Sequence, residues 1–406
     1  MSRAMPRDTF QAESSIPDEA YQERILPHVS RTFALTIPQL PPPLRSAVTS
    51  AYLLCRIADT VEDEPAIPPA HTHAYLQRFA AVVAGAEPAA ALSREVGARL
   101  SERTLPAERD LVINMERVVR TTLALSAPQR AAIQRCIELM CYGMHHFQQT
   151  ASLAGLARAS DLDSYCYYVA GVVGEMLTEL FCAHSPLIAE RRLGLREHAV
   201  SFGQGLQMTN ILKDIWEDRS RGACWLPQEL FQRHGVDLAQ LAPEHYHDGF
   251  GRAYEELIAV AHAHLRNALE FTLLIPSIEP GIRRFCLWAV GLAVLTLQRI
   301  HARPRFTAGA EVKVSHAQVA LVRLLTGVSV RSDSTLRRLF DRAAAGLPLA
   351  VPADVRRASR VAAQAAQQLR ETTSRESARE SFAREFARAR LSDLDPSRSG
   401  TDGSPA

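Results

Sequence analysis

Between Ser201 and Pro227 the chain reads SFGQGLQMTNILKDIWEDRSRGACWLP, and this stretch narrows the possible folds more than any other. Asn210, Asp214, Glu217 and Asp218 are spaced 4, 3 and 1, which on a helix aligns them in one polar stripe. The rest of that helix is apolar: Leu206, Met208, Ile211, Leu212, Ile215 and Trp216. Carboxylates set in so apolar a surface are costly to bury unless a cation meets them. The segment AYLLCRIADTVEDEP has the same design, with Asp59, Glu62 and Asp63 at i, i+3 and i+4 and Tyr52, Cys55 and Arg56 on the turns before. On spacing alone, such sets suit a solvated helix face. The apolar flanks, and the basic loop Arg219–Gly222 after the second set, point instead to one cleft with carboxylates on facing walls. Hard cations such as Mg²⁺ take oxygen ligands of this kind, a few from protein and the rest from water and phosphate.

No stretch alternates with period two for long, so the pattern predicts an all-α protein. Residues 1–20 are polar and predict a frayed, disordered start. Helical periodicity begins near Glu19, breaks around Ser30–Ile37, and resumes from Leu44 to Glu62 after Pro38 and Pro41–Pro43. Further helices are predicted over 71–86, 89–104, 106–125 and 128–149, then from Asp161 or Asp163 to Phe181. The pattern continues over 194–218, 244–275 and 280–301. The catalytic part is expected within 21–330. Residues 331–390 are rich in Ala, Arg, Glu and Gln, and predict a helical extension that supplies little core. Residues 391–406 predict a disordered tail.

A formal net charge of +2 gives no reason to expect nucleic acid as a partner. Seven scattered cysteines without a CxxC pair suit reduced thiols in a cytoplasmic protein. The N-terminus has no apolar run that would mark a secretory signal. Phe285–Leu297 is shorter than the roughly 20 residues that span a bilayer, so it predicts a buried helix. Contact with a membrane is then at most peripheral, on the inner face. Only Lys213 and Lys313 are lysines among 46 basic residues.

Four ordered segments carry a resemblance: Ser30-Arg31-Thr32-Phe33, then YLLCRIADTVEDE, then YCYYVAGVVGEMLTELF from Tyr165, then Gln207–Pro227. Over roughly residues 28–315 the chain resembles the squalene/phytoene synthases, which join two prenyl diphosphates head to head. The resemblance implies an isoprenoid synthase helical bundle around a central active-site cleft. It implies Mg²⁺ held by Asp59, Glu62, Asp63, Asn210, Asp214, Glu217 and Asp218, of which Asp59, Asp63, Asp214 and Asp218 rank as catalytic. Ser30, Arg31, Arg56, Asn210, Lys213, Arg221 and Lys313 are implied to bind substrate diphosphate. Tyr165 is implied to handle a proton or steer the cation.

The apolar wall of the cleft is expected from Phe33, Tyr52, Val169, Gly171, Gly174, Leu177, Gln207 and Phe285, with Ala170 and Phe181 beside them. Two helical glycines, Gly171 and Gly174, together cost roughly 2 kcal/mol relative to alanine. They indicate close approach of either another helix or a flat polyprenyl chain. By resemblance, two farnesyl diphosphates would give presqualene diphosphate and then, with hydride from NADPH, squalene. Phytoene, dehydrosqualene or presqualene diphosphate synthesis are the alternatives within the family. Substrates would be prenyl diphosphates, with membrane contact for product release; oligomeric state stays open.

The chain departs from the family pattern at three places. Lys213 stands where many members have Arg, and an ammonium cannot grip phosphate bidentately. Ala223 replaces a basic residue after the loop glycine, and Ser315 replaces the second basic residue of the late site. Non-catalytic assembly factors of this fold form a further alternative. The complete carboxylate sets speak for an enzyme, and Ala223 speaks for the alternative.

Overall fold

A computed structural model describes residues 16–244 and 247–368 as helices joined by short loops, with no strand among the described residues. In chain order the helices that build the site are α1 (Asp18–Val29), α2 (Pro42–Glu62), α3 (Pro69–Val83), α4 (Ala89–Gly97), α5 (Pro106–Ile113), α6 (Met115–Ala124) and α7 (Ala127–Gln148). They continue as α8 (Ala159–Cys166), a π-helical turn (Tyr167–Gly171), α9 (Val172–His184), α10 (Arg192–Lys213) and α11 (Ile215–Ser220). The set ends with α12 (Gln228–Arg233), α13 (Asp248–Leu274), α14 (Pro280–Ala302), α15 (His316–Ser329), α16 (Asp333–Ala343) and α17, over 352–368. Of the expected frayed start over 1–20, residues 1–15 lie outside the described residues, while Asp18 to Ala20 instead form the first turn of α1; the expected tail over 391–406 lies outside the described residues.

Local chemistry sets these boundaries. Prolines open α2, α5 and α14, where the missing N–H costs nothing. The single helix predicted over 106–125 is two, because the Asn114 amide donates to the Asp110 carbonyl at 2.9 Å and turns the backbone. The stripe helix also breaks, at Asp214 (φ −100°, ψ 17°), yet Asp214 N–H still reaches Asn210 O and Asp218 N–H reaches Asp214 O. The polar stripe therefore survives the break. Two helical stretches, Ala159–His184 and Pro280–Ala302, are long and apolar enough to cross a membrane by length and composition. The second is longer than the Phe285–Leu297 run suggested, and both are mostly buried inside the bundle, as core helices are.

Glycines decide how α9 and α10 meet. A Cβ on Gly174 would lie 1.8 Å from the Ala199 carbonyl oxygen, and one on Gly203 would lie 1.9 Å from that of Ala170. Of the two explanations for the helical glycines, this is helix against helix. Gly171, facing Val200 and Tyr167, belongs to the same contact. Leu177, Phe181 and Phe285 are buried too, with Phe285 edge-on to Phe181 at 6.3 Å. Leu177, Phe181 and Phe285 thus belong to the packed core beside this helix contact.

Over the described residues 331–368 the expectation of little core is overturned, while 369–390 lie outside the described residues. Phe340 and Leu336 of α16 are buried, and α17 lies on α10 and α13 through a polar network. Ser359 Oγ sits 3.4 Å from Ser201 Oγ and also donates to Gln204 Oε1. Asn267 donates to the Pro352 carbonyl at 3.0 Å and accepts from Arg356 at 2.6 Å. His264, 1% exposed, places Nδ1 3.2 Å from Ser201 Oγ.

Burial pushes the His264 pKa down to about 4. The unfolded chain binds that proton below about pH 6.5 while the folded chain does not, so stability falls as pH drops from there toward 4. The loss attributable to this residue is on the order of 3 kcal/mol. Melting temperature measured from pH 8 to pH 4 is expected to fall along this limb. In His264→Leu the limb is expected to be shallower, though His198 and His262, also shifted down by burial, keep part of it.

Candidate active site

The first acidic stripe closes α2. Arg56 pairs with Asp59 at 3.7 Å and, more closely, with Glu108 of α5. Beside it, Tyr52 donates to the Val29 carbonyl at 3.0 Å and its ring lies 4.9 Å from Phe33. Ser30 Oγ accepts from the Phe33 N–H at 3.0 Å, which turns the chain between α1 and α2 and leaves Arg31 exposed. The Ser30–Phe33 segment and the first stripe thus share one corner of the bundle.

The second stripe faces the first across Arg221. This guanidinium reaches Asp218 at 2.6 Å and Asp63 at 3.6 Å, so one cation touches a carboxylate of each stripe. Lys213 pairs with Asp214 at 2.9 Å, and Asn210 is exposed. Glu217 is drawn aside: its Oε1 accepts from the Gly309 N–H at 2.9 Å. That bond, with the Trp216 Nε1 donation to the Phe306 carbonyl at 2.8 Å, docks the Gly309–Val312 turn against Asp214. Exposed Lys313 follows directly, so the late basic residue is tied to the second stripe.

Burial raises the pKa of several of these carboxylates. Removal from water raises the Asp59 pKa to about 7, Arg56 opposes this, and Asp63 and Glu108 reinforce it. Its side chain keeps 40% of its surface open to the cleft, so water there moderates the shift. Burial raises Glu62 well above the usual carboxylate range, with Asp63 and Asp59 adding to it. Burial also raises Asp218, against the pull of Arg221.

Tyr165 lies between the stripes. Its phenol is pushed far up by burial first, then by the charges of Glu62, Asp218 and Asp63. Its ring stacks on Trp225 at 4.1 Å with 9° between planes, and meets Phe147 edge-on at 5.3 Å. A short parallel bridge between Leu156 and Pro227 holds Trp225 there. Gly155, at φ +85°, allows it, since a Cβ would sit 2.4 Å from the Leu226 carbonyl oxygen. The π-helical turn begins two residues after Tyr165, and such turns re-aim side chains at functional positions. Tyr168 points elsewhere, against Gly143 of α7, with its hydroxyl buried and lacking a hydrogen-bond partner among the described residues.

Phe33, Tyr52, Val169 and Trp225 are partly exposed apolar side chains packed on the core, and Gln207 is half-buried. Sequence reasoning missed Trp225, Phe147, Glu108 and Gly309. Trp225 stood inside the Ser201–Pro227 segment and was legible as its aromatic end. The other three are brought in by tertiary packing and leave no local signal.

The profile of the squalene/phytoene synthases matches residues 26–318. The chain belongs to that family. Curated members similar to it include the squalene synthase of Eremothecium gossypii, 29% identical over 306 residues, covering 74% of this chain and 65% of that protein. The squalene synthase of Dictyostelium discoideum is 26% identical over 312 residues, covering 77% and 71%. The chain spans slightly under two thirds of the length of the first of these. A solved squalene synthase, TcSQS with the ligand BPH1237, superposes with a TM-score of 0.64 at 22% identity, covering 86% of this chain and 99% of that one. A solved dehydrosqualene synthase with ligand gives 0.56 at 23% identity, covering 78% and 97%. At these identities the superpositions show the fold, a family-type helical bundle.

The residues at the cleft fit a hard cation. Every donor on the two stripes is oxygen, and among the described residues the ion-pair partners of these carboxylates are Arg56, Lys213 and Arg221. No three Asp, Glu, His or Cys side chains among the described residues converge tightly enough to enclose an ion. Mg²⁺ is commonly held by one or two carboxylates, with substrate phosphate and water completing its shell, which suits facing stripes better than a closed cage.

Proposed function

We propose that the protein condenses two farnesyl diphosphates head to head, through presqualene diphosphate, to squalene, with Mg²⁺ at the carboxylates and NADPH as hydride donor. The observation that carries this reading is the Arg221 bridge, in which one guanidinium lies near Asp63 of the first carboxylate set and Asp218 of the second. Family membership and the squalene synthase relatives support the same chemistry. Mg²⁺ held by Asp59, Asp63, Asp214 and Asp218 would offset the charge of the departing diphosphate as its carbon–oxygen bond breaks.

The chain's own groups do the rest. Arg56, Lys213 and Arg221 give up carboxylate partners to bind diphosphate oxygens, with Ser30, Arg31 and Lys313 at the edge. Phe33, Tyr52 and Val169 keep water from the reacting carbons, and the stacked Tyr165–Trp225 pair offers aromatic faces to a carbocation. The depleted charge at Ala223 is covered by Arg221, two residues earlier, which already stands between the stripes. Glu217 holds the Gly309 turn, so its contribution to metal binding is secondary to that of Asp214 and Asp218. The seven free thiols support a cytoplasmic setting.

Purified protein incubated with farnesyl or geranylgeranyl diphosphate and Mg²⁺, with and without NADPH, tests this by the hydrocarbon formed. Squalene only with NADPH is the expected result. A C40 product, or dehydrosqualene unaffected by NADPH, moves the protein to another branch, and no turnover under any condition favours a non-catalytic relative.

Tyr165→Phe keeps the ring and its stack on Trp225 but removes the hydroxyl. Loss of a proton-handling group typically costs about 10²–10⁴-fold in rate. Presqualene diphosphate formation is expected to fall in that range with little change in substrate affinity. Tyr168→Phe removes a buried hydroxyl with no hydrogen-bond partner among the described residues, so it is expected to leave the rate unchanged and stability unchanged or slightly higher. A slow Tyr168→Phe beside a normal Tyr165→Phe would assign the wrong tyrosine to the cleft.

A further inference from the structure

In the strap that joins α14 to α15, Lys313 is the one lysine or arginine between Arg305 and Arg323. Ser315, which replaces the second basic residue of the late site, caps α15 instead. Its Oγ accepts from the Gln318 N–H at 3.3 Å while Gln318 Oε1 accepts from the Ser315 N–H at 3.0 Å. The positive charge of this stretch is thus concentrated in one exposed ammonium. An ammonium on a flexible stem acts as a point charge, so what it reaches depends on where its backbone is held.

The backbone before Lys313 is held with care. Phe306 and Val312 are buried, and Glu311 Oε1 accepts from the Thr307 and Ala308 N–H groups at 2.9 and 3.1 Å. The next N–H belongs to buried Gly309, which opens the 3₁₀ turn Gly309–Val312, where an N–H has no partner within the turn itself. It donates out of the strap, to Glu217 Oε1. Glu217 is exposed, but the donor that it satisfies is buried, and a buried N–H left unpaired is costly. The approach is also close. A Cβ on Gly309 would lie 2.9 Å from Asp214 Oδ1 and 2.9 Å from the Lys213 carbonyl oxygen. With the Trp216 bond to the Phe306 carbonyl, this seats the turn against the second acidic stripe. A 3₁₀ turn rises about 2 Å per residue, so the Lys313 backbone stands within roughly 8 Å of Gly309.

We propose that Glu217 is a positioning residue for Lys313: through the Gly309 N–H it seats the strap so that this single ammonium serves the anion bound at the second stripe. The use of Lys313 rests on the proposed function, whereas the seating of the strap does not. What Glu217 supplies in this role is an acceptor oxygen rather than a charge. That separates it from metal ligation, in which the charge counts. Glutamine keeps an oxygen acceptor at the same reach, and alanine keeps neither oxygen nor charge.

Two readouts on the full-length protein test this without turnover. Hydrogen exchange over residues 304–314 reports the seat. Glu217→Ala and Gly309→Ala are each expected to speed exchange of this segment about fivefold or more, while Glu217→Gln stays within about twofold of wild type. Titration calorimetry with inorganic diphosphate and Mg²⁺ reports the lysine. Glu217→Ala and Lys313→Ala are each expected to weaken binding about tenfold, and Glu217→Gln no more than about threefold. The double variant Glu217→Ala/Lys313→Ala is expected to be no weaker than either single variant, because both act through one contact. Unchanged exchange in both Glu217→Ala and Gly309→Ala overturns the proposal. So does a Glu217→Gln as weak as Glu217→Ala, or losses that multiply in the double variant, either of which makes Glu217 a metal ligand acting apart from Lys313. A wild type that binds no diphosphate overturns it as well. Diphosphate bound in the expected pattern with no squalene formed supports the positioning role and removes only the proposed function.

Discussion

Asp218→Asn and Asp59→Asn are each expected to lower squalene formation by about 10³-fold, because each removes a formal charge from the set that meets the metal and diphosphate. Neither is expected to cost folding. Asp59 is an acid whose proton the metal-free folded state holds more tightly than the unfolded chain, with a folded value of about 7. The sign follows: its contribution to stability falls as pH rises from the unfolded carboxylate value toward 7, and stays low above that. Asparagine carries no such penalty, so Asp59→Asn is expected to melt at or above wild type at pH 8 and to match it near pH 4. Asp218→Asn frees Arg221, whose side chain is 58% exposed and needs no buried partner. The decisive readout is the rise in melting temperature on adding Mg²⁺ with inorganic diphosphate, which wild type is expected to show and both variants to lose. A variant that retains both this rise and turnover removes its carboxylate from the metal set. A variant that melts far below wild type gives that carboxylate a structural role instead.

What the sequence made legible was whatever lies within a few turns of one helix. The two acidic stripes, their apolar flanks and the order of helices from Asp18 to Ala302 all follow from periods of 3.6 and from prolines. That the stripes face each other was also inferable, since both sets would be costly to bury alone. The pairing of Arg221 with Asp63 was not, because it joins residues more than 150 positions apart. Glu108, which competes for Arg56, sits on α5 with no motif around it. The split of roles within the second stripe was equally hidden. Glu217 lies on the expected face, yet the Gly309 turn takes it, and only tertiary structure brings that turn near. The π-helical turn after Tyr165 follows from no local propensity; both tyrosines meet Phe147, but Tyr165 stacks on Trp225 while Tyr168 lies against Gly143. The close helix contact at Gly171 and Gly174 was one of two readings the sequence left open, because apolar residues on a site helix do not reveal which partner covers them.

Ending the chain at residue 350 is expected to yield insoluble or loosely packed protein, although composition argues the contrary. The removed part has few large apolar side chains, but Val355, Ala362 and Ala366 are buried and Ser359 is 3% exposed. Small residues let α17 lie close to α10 and α13, and buried polar groups there draw part of their bonding from α17. Gln204 and Asn267, 0% and 1% exposed, bond to Ser359 and to Pro352 and Arg356. Gln204 in turn donates to the Asp163 carbonyl at 2.9 Å, one helical turn from the Tyr165 end of α8. Stripping this face exposes apolar surface and unpairs several buried groups at about 1 kcal/mol or more each, a large share of the 5–15 kcal/mol typical of a folded domain. A chain ended at residue 368 keeps all of these bonds and is the control. Ser359→Val is the finer probe: it retains packing volume but leaves Gln204 short of a partner, and is expected to cost roughly 1–3 kcal/mol by denaturant titration. A chain ended at 350 that is soluble, cooperative and active would show that α10 and α13 tolerate water where α17 now lies.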